Sequence, residues 1–156
     1  MSVTVRVLAC GSIDRGDDGA ALLAVRSLSA AARRGARIEE IGELSAEHLL
    51  GDDAGTRRLV VDCVAGLAAG AIVDLPLAEL PALEARARVT SSHALAPGQA
   101  VALAAELGAI GAEDRFLGIG GSVFALGAGL SPEVANAVGE LADCLGDRIE
   151  EALPCA

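Results

Sequence analysis

The sequence predicts an α/β fold, a three-layer α/β/α sandwich around a mostly parallel, twisted sheet of about five strands. Two observations support this prediction. Short apolar, β-branched segments alternate along the chain with segments whose apolar residues recur at helical spacing, and glycine-rich turns separate many of them. The length of 156 residues, without a linker or an internal repeat, indicates one domain spanning residues 1–156.

The first half of the chain begins with a strand at residues 3–10, where valines alternate with polar residues before the run becomes fully apolar. A helix is predicted over residues 20–32, because its apolar residues form one stripe, and Gly35 ends it. Residues 37–41 form a second, more polar strand, which we expect near a sheet edge. A short helix at 46–50 follows, capped by the preceding serine.

The middle of the chain contains the strongest strand pattern, an apolar run at residues 59–64 with one charged residue near its end. Residues 71–75 are predicted to form a further strand. Residues 76–88 are expected to be irregular or weakly helical. A proline at the first helical position starts a helix that runs from residue 97 to about 108.

The last strand is predicted at residues 115–120, and a loop rich in glycine follows it. Ser131, Pro132 and Glu133 then form a helix start with a cap, a proline at the first position and a first-turn acid. The closing helix runs to about residue 153. In open sheets of this kind, ligands bind outside the carboxyl ends of the strands.

Charge and composition exclude several functions. The net charge of −10 argues against binding to nucleic acid or to anionic membranes. The Arg57-Arg58 pair is expected to be solvated where a strand begins. The sequence contains neither a signal-peptide pattern nor an apolar run that could span a membrane. Its four cysteines form no CxxC pair and are expected to be reduced, so we expect a cytoplasmic protein.

Three side chains follow strands of the predicted sheet. Asp18 comes just after the first strand, Asp62 at the end of the third, and His93 in the loop after the fourth. Because the carboxyl ends of parallel strands meet at one edge, these residues are expected to converge there. Two carboxylates and an imidazole suit a borderline divalent ion such as zinc, nickel or iron, with open positions left for a substrate.

Each of these residues also has an ordinary structural interpretation. Asp17 and Asp18 both lie where they can serve a helix N-terminus, and this is the role we expect for Asp17. Asp62 can cap a turn, although a charge that ends a buried apolar run is costly unless it is paired. His93 can belong to a plain polar loop. Cys63 could be a nucleophile with the histidine as its base, but a cysteine in a strand is usually a small apolar residue.

The sequence resembles the nickel–iron hydrogenase maturation endopeptidases. The similarity rests on the strand–GxxxxGDDG–helix opening, the apolar run that ends at Asp62, and the Ser-Ser-His segment at His93, and it spans most of the chain. In that family the second acid of the first loop, the strand-end aspartate and this histidine form the catalytic, metal-contacting trio. The resemblance assigns these roles to Asp18, Asp62 and His93.

The resemblance implies an aspartyl-type endopeptidase that has no tightly bound cofactor of its own. Such an enzyme recognises nickel already installed in the hydrogenase large-subunit precursor and then removes a short C-terminal extension. We expect this precursor to be the partner and the protein to be a monomer. The sequence departs from the family pattern at Ala9 and Ser12, which replace a glycine and an asparagine, and at Gly120-Gly121, where a proline is expected.

Two other functions fit parts of the pattern. A non-catalytic maturation chaperone could bind a nickel centre with the same three residues, and the sequence does not separate it from the protease. A signalling receiver module also has an acidic pair after the first strand and an aspartate after the third. Receivers need a lysine after the fifth strand, however, and this chain has none.

Overall fold

A five-stranded sheet forms the centre of the protein in the computed structural model, which describes residues 4–87 and 97–153. Its strands are β1 (Thr4–Cys10), β2 (Arg37–Ile41), β3 (Thr56–Ala65), β4 (Ile72–Pro76) and β5 (Arg115–Gly121). They lie in the order β2-β1-β3-β5-β4, and only β4 runs antiparallel, against β5. This arrangement confirms the predicted α/β class with a mostly parallel sheet.

Helices cover both faces of this sheet. They are α1 (Ala20–Arg26), α2 (Ala30–Arg34), α3 (Leu80–Ala87), α4 (Pro97–Glu106) and α5 (Pro132–Ala152), with short 3₁₀ helices at Gly16–Gly19, Ala46–Leu49 and Leu77–Glu79. Alternate residues of each strand face opposite layers. Val5 and Val7 pack with α1 and α5, whereas Leu8 packs with α3, α4 and the 3₁₀ helix at Ala46–Leu49. The result is a three-layer sandwich.

Three elements differ most from the sequence prediction. The helix expected over residues 20–32 is divided into α1 and α2, because Ser27 donates a hydrogen bond back to the Leu23 carbonyl oxygen and Ser29 caps α2. The segment after β4, expected to be irregular or weakly helical, contains the regular helix α3. Strand β3 extends beyond the predicted segment at both ends and reaches Ala65.

A buried ionic network lies at the amino edge of the sheet, where β1 and β3 begin. Arg58 is only 4% exposed; it pairs with Asp114 at 2.7 Å and donates to the carbonyl oxygens of Leu49 and Ala109. Arg6 similarly joins Glu39 and Asp52. The expectation that Arg58 is solvated is therefore wrong: its guanidinium holds together chain segments that are distant in sequence.

None of the helices within residues 4–87 and 97–153 has both the length and the apolar character needed to cross a membrane.

Candidate active site

The turn after β1 brings Asp18 to the carboxyl edge of the sheet. Gly11 begins the turn with a φ of 123°, and a Cβ atom there would collide with the main-chain oxygen of Asp18. Glycine is therefore required for this close approach. The Ser12 backbone N–H donates to Asp18 Oδ2 at 2.9 Å, which fixes the carboxylate over the turn. Asp18 is partly exposed, so it remains accessible to a ligand.

Asp62 lies on the neighbouring strand at the same edge. In the parallel pairing of β1 with β3, Ala9 lies opposite Val61, so Asp62 follows directly beside the end of β1. Its side chain is 8% exposed, and its Oδ1 accepts a hydrogen bond of 2.8 Å from the Cys63 backbone N–H. The structure thus places Asp18 and Asp62 at one edge, although more than forty residues separate them in sequence.

Burial and neighbouring charge make Asp62 an unusual carboxyl group. Desolvation is the largest cause, the negative charges of Asp18 and Glu84 add to it, and the Cys63 N–H opposes them; together they raise the pKa of Asp62 to about 8. No arginine in the described residues forms an ion pair with Asp18 or Asp62. Such a group exchanges its proton near neutral pH, as a general acid or base does, and it favours the arrival of a cation.

Wild type and Asp62→Asn should differ in how stability depends on pH. Because the folded state raises the pKa of Asp62, the bound proton stabilises the fold at low pH, and this contribution is lost as the pH rises towards 8. The neutral amide of the variant has no such dependence. We expect equal free energies of unfolding near pH 4 and an advantage of roughly 3–5 kcal/mol for the variant near pH 9. Urea titrations across this range measure the difference, and a constant difference would contradict the prediction.

Asp17 has a role that the sequence did not indicate. Its side chain is fully buried and does not cap its own helix. Instead Oδ2 accepts hydrogen bonds from the backbone N–H groups of Ser122 and Val123 and from the Ser131 hydroxyl, and Oδ1 accepts one from the Ser131 N–H at 2.7 Å. The expectation that Asp17 serves the helix start is wrong, since it fastens the loop after β5 to the turn after β1.

The electrostatics of Asp17 agree with this structural role. Desolvation alone would raise the pKa of the Asp17 carboxyl, but the hydrogen bonds from Ser122, Ser131 and Val123 together outweigh it, and the pKa is lowered. Asp17 is therefore held as a carboxylate that is fully occupied by hydrogen-bond donors. Asp18, its neighbour in sequence, accepts only one of the described hydrogen bonds.

The third expected ligand, His93, lies outside the described residues. Within residues 4–87 and 97–153, no three histidine, cysteine, aspartate or glutamate side chains are grouped so that they could hold a metal ion. A site with three protein ligands would need a further residue from outside the described part of the chain, and His93 is the one that the sequence analysis predicts.

Glu84 is a nearby acid that sequence reasoning missed. It lies on α3, and both carboxylate oxygens accept the Gly98 backbone N–H at 3.0 Å, so it caps the start of α4 from another helix. Burial raises the pKa of Glu84, and its charge reaches Asp62. A cap that lies fourteen residues away from its helix has no local sequence signature. The sequence indicated only that a helix starts at Pro97-Gly98.

Two further residues, Cys63 as a nucleophile and the histidine His48 as a ligand, are less suitable. Burial, followed by the charges of Asp62, Asp17 and Asp18, raises the pKa of the Cys63 thiol far above its usual range, so it is protonated and a poor nucleophile. His48 lies in a 3₁₀ helix, where its Nδ1 accepts the Ser45 backbone N–H at 2.9 Å.

Comparison with known proteins finds similarity in solved structures. Neither protein-family models nor curated proteins match the sequence. The chain resembles the [NiFe] hydrogenase maturation protease HybD from Thermococcus kodakarensis, with 25% identity, coverage of 93% of this chain and 98% of that one, and a TM-score of 0.66. The hydrogenase maturating endopeptidase HybD from E. coli matches with 18% identity, 96% and 93% coverage, and a TM-score of 0.76.

A third match is the endopeptidase HycI from Escherichia coli, with 22% identity, 93% and 90% coverage, and a TM-score of 0.67. The two E. coli structures establish the similarity of fold. The Thermococcus protein is also 25% identical in sequence, over nearly the whole length of both chains. Together these matches confirm the resemblance that the acidic turn and the strand-end aspartate indicate.

Proposed function

We propose, from its resemblance to the [NiFe] hydrogenase maturation proteases, that this chain is an endopeptidase that removes a short C-terminal extension from a nickel-loaded hydrogenase large-subunit precursor. The observation that carries the proposal is the pairing of Asp18 with the buried Asp62 at the carboxyl edge of the sheet, in a chain with the fold of these proteases. The similar structures that are named as maturation proteases support the peptidase class.

Nickel recognition follows from the charges at this edge. A cation that approaches Asp18 and Asp62 relieves the repulsion between the two carboxyl groups and displaces the proton from Asp62. His93 would supply a neutral nitrogen ligand. In this scheme nickel is part of the substrate, so cleavage occurs only when the bound precursor carries nickel. The protein therefore needs no resident metal, and we propose that it acts as a monomer.

The reaction is assigned to the cytoplasm as part of the same proposal. Cys10, Cys63 and Cys144 are free thiols in the described part of the chain, which suits a reducing compartment.

Incubation of the protein with the nickel-loaded precursor tests the function directly. We expect mass spectrometry to show loss of a C-terminal segment only when nickel is present. A precursor that is bound but stays at full length would show that the chain is instead a maturation chaperone. A precursor that is neither bound nor cut would overturn both functions.

Removal of His93 should abolish metal binding and processing together. The purified protein is expected to contain no stoichiometric metal and to bind added nickel weakly, since an incomplete ligand set leaves coordination positions open. Binding should weaken as the pH falls, because ligands must lose their protons before they coordinate. Calorimetric titration of wild type and His93→Ala measures this, with the other histidine variant, His48→Ala, as the matched control. Equal binding by wild type and His93→Ala would exclude His93 as a ligand.

A further inference from the structure

The loop after β5 is an exposed, uncharged surface in a strongly acidic protein. Residues 116–132 contain no charged side chain, although the whole chain has a net charge of −10. Within this segment Val123 is 37% and Leu126 is 72% exposed, and Phe124 is half-buried. Water-exposed apolar side chains grouped on one loop are a common feature of surfaces that bind a partner.

This loop is joined to the turn after β1, and the two form one surface, called here the loop pair (residues 11–16 and 122–130). The backbone N–H groups of Gly16 and Gly127 donate across the boundary to the carbonyl oxygens of Ala128 and Asp14, at 3.1 and 2.7 Å. The Asp17 carboxylate, which follows the first loop, accepts four further hydrogen bonds from residues of the second loop and from Ser131. Gly16, with a φ of 57°, permits the contact, since a Cβ atom there would collide with the Val123 oxygen.

The loop pair lies directly beside the candidate active site. Ile13, on its first loop, is 42% exposed and packs against Gly19, the residue after Asp18. Val123 and Leu126 lie next to the same turn, because the Val123 carbonyl oxygen accepts the Asp17 backbone N–H at 2.7 Å and Gly127, which follows Leu126, donates to the Asp14 oxygen. Because hydrogen bonds already hold the two loops together, binding there costs little ordering of the protein.

We propose that the loop pair docks an uncharged, apolar segment of the precursor polypeptide next to its cleavage site. This inference rests on the proposed function and extends it to how the substrate chain is recognised. Complementarity argues for this occupant: the loop after β5 (residues 122–130) offers no charge that could pair with a charged segment, whereas apolar side chains would cover Val123 and Leu126. The exposed charges of the loop pair, Asp14 and Arg15, are confined to its first loop. The docked segment lies where the carboxylates can reach the adjoining peptide bond.

The Val123→Ser/Leu126→Ser double variant tests the proposal without changing charge. We expect it to bind the nickel-loaded precursor about tenfold or more weakly, because the contact area of two apolar side chains is lost. In processing assays the KM should rise by the same factor while kcat stays near the wild-type value. Leu107→Ser is the matched control: Leu107 is 61% exposed just beyond α4, near the amino edge of the sheet, and its variant should behave as wild type.

The two readouts separate failure of this proposal from failure of the protease function. Wild-type binding and KM in the double variant, with thermal melts that show both proteins folded, would overturn the docking surface and leave the protease intact. A wild type that binds without cutting, and a double variant that no longer binds, would support the docking surface and overturn the protease. Gel filtration that shows a wild-type dimer dispersed by the same substitutions would overturn the proposal in favour of self-association.

Discussion

Asp18→Asn and Asp62→Asn should each reduce processing of the nickel-loaded precursor by about a thousandfold or more while the protein stays folded. Each substitution keeps the volume of the side chain but removes the charge that attracts the cation. The hydrogen bonds from Ser12 and Cys63 can still be accepted by the amide oxygen, so local structure is preserved. Mass-spectrometric time courses measure the activity, and thermal melts measure the fold.

Asp53→Asn provides a matched control for these variants. Asp53 is an exposed acid in the loop before β3, at the opposite edge of the sheet, so the same charge is removed without touching the carboxylate pair or the loop pair. Its processing rate should remain within a few-fold of the wild type. A comparable loss in Asp53→Asn would mean that the general negative charge of the protein matters, and the specific roles of Asp18 and Asp62 would be wrong.

Asp17→Asn is expected to act on stability, with a loss of about 3–5 kcal/mol in the free energy of unfolding. The new amide nitrogen has to face groups that are themselves donors: the backbone N–H groups of Ser122 and Val123, or that of Ser131. Leaving buried donors unpaired costs more than a typical surface substitution. Urea denaturation of wild type and variant measures the loss, and an unchanged midpoint would show that the buried carboxylate contributes little.

Acid should have a related effect on the wild type. The pKa of Asp17 is lowered in the folded state, because its hydrogen bonds outweigh the desolvation that opposes them. Its contribution to stability is therefore present above the ordinary aspartate pKa and is lost as the pH falls through the lowered value. In Asp17→Asn this part of the acid sensitivity should disappear.

The adjacent acids thus have opposite expected signatures. Substitution of Asp18 should remove activity and spare stability, whereas substitution of Asp17 should reduce stability first, and activity only as the loop pair loosens. Both residues belong to one GDDG segment, so position in the motif alone does not separate them. Their burial and hydrogen-bond partners do.

Much of the fold could be predicted from local pattern. Strand β2 begins and ends as predicted, β1 ends at Cys10 as predicted, β5 is one residue longer than predicted, and α5 starts at Pro132. Strands and helix starts are determined by residues only a few positions apart, by alternating apolar residues in a strand and by cap residues at a helix start. Their bounds can therefore be predicted from the sequence directly. The same reasoning indicated that a parallel sheet brings Asp18 and Asp62 to one edge, although Asp62 lies inside β3, three residues before its end at Ala65.

The sequence by itself determined the α/β class, the order of its elements and the edge at which the two acids lie. Only the tertiary structure decided that Asp17 fastens a distant loop, that Arg58 is buried against Asp114, and that the pKa of Asp62 is raised to about 8. These properties depend on desolvation and on partners far away in the chain. Burial and long-range contacts exist only once the layers have packed, and no short stretch of sequence records them.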